Sequence, residues 1–428
     1  ARATWAQSGW EDRALSERDA LVQAGGAAIG AMNEEIVIEL AHQMGRPVRY
    51  RGEFGGFEER ANYMAKIAGE ALAPIEVEDS SEFCRKIKRI PHGLVLVVAP
   101  WNYPYMTAIN TIAPALIAGN SVILKHSSQT LLVGERLEKA FHSVGIPKEV
   151  FVNVFLDHET TTQLIAERAF DYVNFTGSVS AGKAIEFAAS GTFTGIGLEL
   201  GGKDPGYVME DANLDAAVET LIDGAMFNSG QCCCGIERIY VHESLYDAFV
   251  EKAVTIVSGY KLGNPLEPET TMGPMANVRF ANVVRNQIIN AIKDGATAHI
   301  DATSFPQDKD AYLMPQILTN VTHNMDIMCE ESFGPVVGIM SVKDDAEAVM
   351  LMNDSKFGLT ASIWTRDQER AEKIADQIET GTVFMNRADY LDPGLCWTGC
   401  KDTGRGGGLS VIGYHNLTRP KSYHLKKL

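Results

Sequence analysis

The chain has 428 residues, 45% of them hydrophobic and 22% charged, with 38 basic against 55 acidic residues and a formal net charge of −17. That length predicts two or three domains with ample core, and the acidic balance excludes general nucleic-acid binding and docking on anionic membranes, which need a basic face. Seven irregularly spaced cysteines in so long a chain do not read as a disulfide framework. Together with an N-terminus, "ARATWAQSGWEDRALSERDA", that lacks a basic-then-apolar signal, they predict a cytoplasmic setting.

In chain order, apolar residues at helical spacing predict a helix through "LSERDALVQAGGAAIGAMNEEIVIELAHQMG" and another from Glu58 to Ala71. "SSEFCRKIKRIPHG" alternates and breaks at Pro91, as an extended arm does. The most apolar stretch, Gly93 to Leu124, is interrupted by Pro100, Asn102, Pro104, Asn110, Pro114 and Asn120, which argues against a membrane span. It divides instead into a strand "GLVLVVAP" buried on both faces, a helix to Ala118 and a second strand "SVILK". Helices at Leu131–Val144, Thr160–Glu167 and Ser180–Ala189 then alternate with strands "EVFVNVF", "FDYVNFT" and "TGIGLEL". Such repeats predict a parallel α/β sheet with right-handed crossovers. Past Gly202 a second α/β region holds a helix at Leu214–Phe227, strands "RIYV" and "PVVGIM", and helices at Asp345–Met352 and Gln368–Ile378. "SFPQDKD" reads as a polar loop, and "TRPKSYHLKKL" as an extended tail.

Five segments carry residues suited to chemistry. "FNSGQCCCGIER" sets Cys232, Cys233 and Cys234 side by side. Adjacent cysteines point apart, which suits neither metal chelation nor a disulfide. Buried packing is the plain alternative. Gly230 permits a tight loop that presents one thiol, the middle one, to a cleft. In "LELGGKDP", Glu199 stands in an apolar strand, where burial raises a carboxyl toward the range of a general base; Gly201 and Gly202 allow close approach by a ligand. In "APWNYP", Asn102 follows a buried strand, where an amide either serves an oxyanion or satisfies its own turn. In "NFTGSVSAG", Gly177 and Gly182 frame a helix start suited to phosphate, although no strand-linked G-x-G-x-x-G is present. In "CEESFGPV", Glu330, Glu331 and Phe333 precede a Gly-Pro turn.

Taken together and in order, "PWNYP", "VILKHSSQT", "FTGSVSAG", "LELGGKDP", "GQCC" and "EESFGPV" resemble the aldehyde dehydrogenase superfamily over essentially the whole chain. The resemblance implies NAD- or NADP-dependent oxidation of an aldehyde to the acid. Cys233 matches the nucleophile, Asn102 the oxyanion donor and Glu199 the base that activates water. Lys125 matches the residue at the adenosine ribose, Gly177 and Ser178 the helix start at the pyrophosphate, and Glu331 with Phe333 the nicotinamide ribose site. Ser128, Gly182, Trp101 and Leu200 complete the expected cofactor set, and no metal is implied. The implied fold is α/β. It has a Rossmann-like cofactor domain (1–77, 93–201 and 403–413), a catalytic domain (202–402) and a β oligomerisation arm (78–92 and 414–428), built into a homodimer or homotetramer.

Three departures from the family pattern refine this. Ser128 stands where NAD-preferring members often carry Glu. The loss of that charge favours NADP. Asn110 stands where semialdehyde-acid members often carry Arg, which disfavours a substrate carboxylate unless a cation such as Lys401 or Arg405 stands in. "CWTGCKDTGRGGG" stands where the family commonly has "PFGGxKxSGxGRE". Trp397 with Tyr103, Tyr105, Met106, Asn110, Cys232 and Cys234 then implies a mostly apolar tunnel for a small or medium aldehyde. The alternatives are a semialdehyde dehydrogenase, a CoA-acylating enzyme, which Glu199 argues against, and a silent structural protein, which the three matched catalytic positions argue against.

Overall fold

A computed structural model describes residues 9–428. Leu94–Ala99, apolar throughout, is buried at every residue and forms the middle of a six-stranded sheet. From edge to edge the strands are Gly404–Arg405, Gly195–Glu199, Tyr172–Thr176, Leu94–Ala99, Ser121–His126 and Phe151–Asn153. All neighbours pair in parallel except Gly404–Arg405, which runs antiparallel against Leu198 and Glu199. Parallel strands end on one side. The segments holding Trp101, Asn102, Lys125, Gly177 and Leu200 therefore all lie at the carboxyl ends of this sheet, where ligands of open α/β sheets gather.

A second, seven-stranded sheet runs Thr297–Ala298, Gln316–Thr319, Val336–Val342, Ile236–His242, Asp204–Val208, Thr360–Trp364 and Thr382–Met385. Only the edge strand Thr297–Ala298 is antiparallel. A third sheet is antiparallel throughout: Ile75–Asp79 pairs with Phe83–Pro91, which pairs with Thr418–Lys426. The strands expected in the first half lie within a few residues of these bounds. The long first helix is in fact two, Leu15–Gly30 and Asn33–Met44, divided at Ala31–Met32.

Asp204–Val208 escaped sequence reading because Asp, Pro and Gly rarely occupy a central strand. Here a register shift between Asp204 and Pro205 accommodates the missing N–H, and buried Asp204 accepts from Thr360 Oγ1 at 2.6 Å. Beside it, Lys203 Nζ donates to Glu237 Oε2 at 2.6 Å, and both side chains are buried. The same Glu237 accepts from the backbone N–H groups of Ser332 (2.8 Å) and Phe333 (2.9 Å), so one carboxylate holds the "EESFG" segment to the second sheet.

Glu237→Gln keeps the shape of this junction but removes the charge that offsets Lys203. A buried ammonium left unpaired costs about 3–5 kcal/mol. The melting midpoint of the variant is expected to fall by several degrees in a thermal unfolding experiment; an unchanged midpoint contradicts this role for the pair.

Candidate active site

Between the carboxyl ends of the first sheet and the second lies a cavity of about 230 Å³. Its lining brings together Cys233, Glu199 and Leu200 with six of the seven expected tunnel residues, Tyr103, Met106, Asn110, Cys232, Cys234 and Trp397. That volume suits a small molecule rather than a drug-sized one. Tyr105 is instead buried in the helical core.

The cysteine loop follows the helix Leu214–Met226. Asn228 and Ser229 are both left-handed (φ 55° and 56°), and Gly230 follows at φ 70°. A Cβ on Gly230 would lie 2.2 Å from the Gly334 carbonyl carbon, so only glycine fits there. Gln231 locks the loop: its Nε2 donates to Asn228 O (2.9 Å) and its Oε1 accepts from Ala276 N (2.8 Å). Cys232 and Cys234 turn the same way, with their Sγ atoms 3.6 Å apart and each 3.1 Å from Asp389 Oδ1. Both are buried, while Cys233 is partly exposed. The ligand atoms of Cys232, Cys234 and Asp389 all lie within 4.8 Å of one another, a cluster that adjacent spacing does not suggest because it forms across i and i+2. Hydrogen bonding from Cys232, then from Cys234, holds the Cys233 thiol well below the ordinary thiol range against the opposing effect of burial. Its partners shift upward, Cys232 chiefly through its bond to Cys233 and Cys234 chiefly through its bond to Cys232.

Glu199 ends the strand Gly195–Glu199 and accepts from Thr176 Oγ1 at 3.2 Å. Burial first, and then the charge of Cys233, push its carboxyl up to about 7. Asn102 is buried, and its Nδ2 reaches Gln231 O, beside the cysteines, at 3.3 Å. Its carbonyl accepts from Asn228 Nδ2 at 3.2 Å and from Arg46 Nη2. Arg46 in turn pairs with Glu53, whose Oε2 accepts from the backbone N–H groups of Tyr105 and Met106, both at 2.9 Å.

Of the expected cofactor residues, Leu200 lines this cavity. Lys125 is buried at the end of its strand, and its Nζ has no hydrogen-bond or ion-pair partner among the described residues; burial lowers its pKa. An amine so placed fits a ribose hydroxyl or a phosphate. Ser128 is exposed at the start of a single 3₁₀ turn. Ser178 caps the helix Val179–Ala189, accepting from Ala181 N at 3.3 Å, while the Gly177 N–H is taken by Glu199 O at 3.0 Å. Gly182 packs on Leu200; a Cβ there would meet Leu200 Cδ2 at 2.5 Å. Trp101 stacks on Phe280 and meets Phe333 edge-on, with ring centroids 5.3 and 5.5 Å apart. Glu331 Oε1 accepts from Gly202 N at 3.0 Å, and burial pushes its carboxyl up to about 8. The space beside Gly201 and Gly202 is filled by the protein itself, by Glu331 Oε2 and Cys233 O, rather than left for a ligand.

Sequence reading missed Arg60, Asp389, Arg46 and Glu53. Arg60 left a signal: with Phe57, Ala61 and Met64 it occupies the buried face of the helix Phe54–Ala71 at i, i+3, i+4 and i+7. Arg46 and Glu53 flank a loop, and no periodicity marks them. Lys401 and Arg405, considered as cations for the tunnel, do not line it; they pair with Glu379 and Glu186.

A sequence model described as "Aldehyde dehydrogenase family" matches residues 1–423. A succinate-semialdehyde dehydrogenase [NADP(+)] of Deinococcus radiodurans is 32% identical over 423 residues, covering 98% of this chain and 88% of that protein. A phenylacetaldehyde dehydrogenase of Pseudomonas fluorescens is 34% identical over 378 residues, 86% of this chain and 75% of its own. The solved structure of an NAD-dependent aldehyde dehydrogenase from Sinorhizobium meliloti superposes with a TM-score of 0.95 at 32% identity, over 100% of this chain and 85% of that one. With a partly exposed thiol, a desolvated carboxyl and a buried amide gathered near the ends of a parallel sheet, the chain belongs to the aldehyde dehydrogenase family, oxidoreductases that act on an aldehyde with NAD or NADP.

Proposed function

We propose that Cys233, Asn102 and Glu199 carry out the oxidation through a covalent thioester. The observation that carries this reading is the position of Cys233, the one partly exposed thiol of the three, on a cavity that Glu199 also lines. The Cys233 thiolate attacks the aldehyde carbon and forms a thiohemiacetal. Asn102 Nδ2 and the Cys233 backbone N–H receive the developing oxyanion. Bound NAD or NADP supplies the hydride acceptor, and an acyl thioester remains on Cys233. Glu199 takes a proton from water, which then attacks the thioester carbon; the acid leaves and the thiolate returns. A carboxyl pushed up to about 7 is the base form above that pH and gives up its proton readily near it, as a general base requires. The same carboxyl supports hydrolysis over transfer to CoA.

On the cofactor side, Lys125 and Ser128 face the adenosine ribose, the helix Val179–Ala189 faces the pyrophosphate, and Glu331 with Phe333 faces the nicotinamide ribose. Exposed Ser128 places no carboxylate against a 2′-phosphate, and Lys125 has an uncommitted charge to offer it. NADP is therefore accepted, and favoured over NAD. The six-stranded sheet serves the cofactor and the seven-stranded sheet carries the nucleophile. The three-stranded sheet joins copies of the chain into a homo-oligomer, because Ile75, Val77 and Leu425 stand exposed on it at 60%, 54% and 51%.

Cys233→Ala is expected to lower turnover at least ~1,000-fold while cofactor binding, read by fluorescence quenching, persists. Cys232→Ala and Cys234→Ala are expected to retain turnover and to alter the preference among aldehydes. A lethal Cys232→Ala beside an active Cys233→Ala contradicts the assignment. For the cofactor, wild-type kcat/KM is expected to be higher with NADP than with NAD, and Ser128→Glu to reverse that order; a wild-type enzyme that strongly prefers NAD sinks the role given to Ser128.

A further inference from the structure

Arg60 is the feature that this mechanism leaves unused. It lines the same cavity as Cys233 yet is only 8% exposed. Its Nη1 donates to Met106 O at 2.9 Å and, at the long distance of 3.5 Å, to Asn110 Oδ1. Among the described residues its Nε is buried without a partner, no bond reaches Nη2, and Arg60 forms no ion pair. An uncompensated guanidinium this deep is costly and is kept only where something offsets it.

The neighbouring carboxyls are committed elsewhere. Glu53 is paired with Arg46 and receives two backbone N–H groups. Glu59 is exposed and accepts from Tyr390 Oη at 2.6 Å. Asp389 accepts both flanking thiols, and Glu199 accepts from Thr176. The cavity thus holds a cation that no anion among the described residues bonds directly, with Glu53 and the cysteines acting on it only at longer range, among the apolar walls of Met106, Leu359 and Trp397.

We propose that Arg60 receives a carboxylate at the far end of the substrate, so that the enzyme acts on short aldehydes bearing an acid group. A carboxylate matches the planar guanidinium fork as no neutral group does. Asn110 lacks the charge that some acid-semialdehyde relatives place at its position. Here its oxygen instead faces the arginine delivered from the helix Phe54–Ala71, so the position that argued against a substrate carboxylate helps to hold the cation that binds one. The inference rests on Cys233 being the nucleophile of this cavity.

The test compares 4-oxobutanoate with butanal, the neutral aldehyde of equal chain length, in the wild-type enzyme, Arg60→Met and Arg60→Lys. Wild-type kcat/KM is expected to favour 4-oxobutanoate. Arg60→Met is expected to lose about 100-fold on 4-oxobutanoate, chiefly in KM, while butanal stays within about 3-fold of wild type. Arg60→Lys is expected to recover part of the loss. Independently of turnover, succinate is expected to protect the wild-type protein, and not Arg60→Met, from alkylation by N-ethylmaleimide. A wild-type enzyme that prefers butanal, or an Arg60→Met variant that loses both aldehydes equally, overturns the proposal and leaves the Cys233 reading standing. A wild-type enzyme that oxidises neither overturns both.

Discussion

The geometry of the site depends on one buried guanidinium, Arg46. It pairs with Glu53, donates to the carbonyl of Asn102, reaches Asn228 Oδ1 at 3.3 Å and lies 4.7 Å above the Tyr103 ring. The side chains of Arg46 and Glu53 are 3% and 1% exposed, so neither charge has solvent to fall back on. Loss of either partner strands the other, which is why such pairs hold their geometry tightly even when they add little net stability. Through these bonds the start of the helix Pro104–Ile117, the "PWNYP" segment and the cysteine loop form one rigid unit. The reaction needs that rigidity: an oxyanion donor displaced by an ångström from the attacking sulfur loses much of its effect.

Within that unit, three identical side chains acquire different chemistry. The turn at Asn228–Gly230 directs Cys233 to the cavity and sends its two neighbours to Asp389. Beside these two thiols Cys233 is held well below the ordinary thiol range, while both of its neighbours shift upward. Glu199 and Asp389, both pushed up to about 7 by burial, are only partly ionised near neutrality and so oppose that thiolate less than two full charges would. Arg60 then supplies a charge on the cavity wall that forms no ion pair among the described residues.

Much of this is legible in the sequence, for a physical reason. Buried parallel strands such as "GLVLVVA" are nearly all apolar, so composition alone locates their ends and the residues just past them. The glycine-led cysteine loop and Glu199 are visible in the same way. What stays hidden depends on long-range pairing. Asp204–Val208 looks unlike a strand until Thr360 supplies the partner of Asp204. Arg46 and Glu53 look like surface charges in a loop until Asn102 and Tyr105, far along the chain, fold onto them. Arg60 is readable from its place among Phe57, Ala61 and Met64, but a charged residue on an apolar face gains meaning only when its lack of a partner is seen.

The central claim is that one thiol of three becomes acylated and that Glu199 releases it. The direct measurement is peptide mass spectrometry of Glu199→Gln after a single mixing with aldehyde and NADP. The expected result is a burst of about one reduced cofactor per site, followed by a stall, with the acyl mass on Cys233. An acyl group on Cys232 or Cys234, or steady turnover without any adduct, contradicts it.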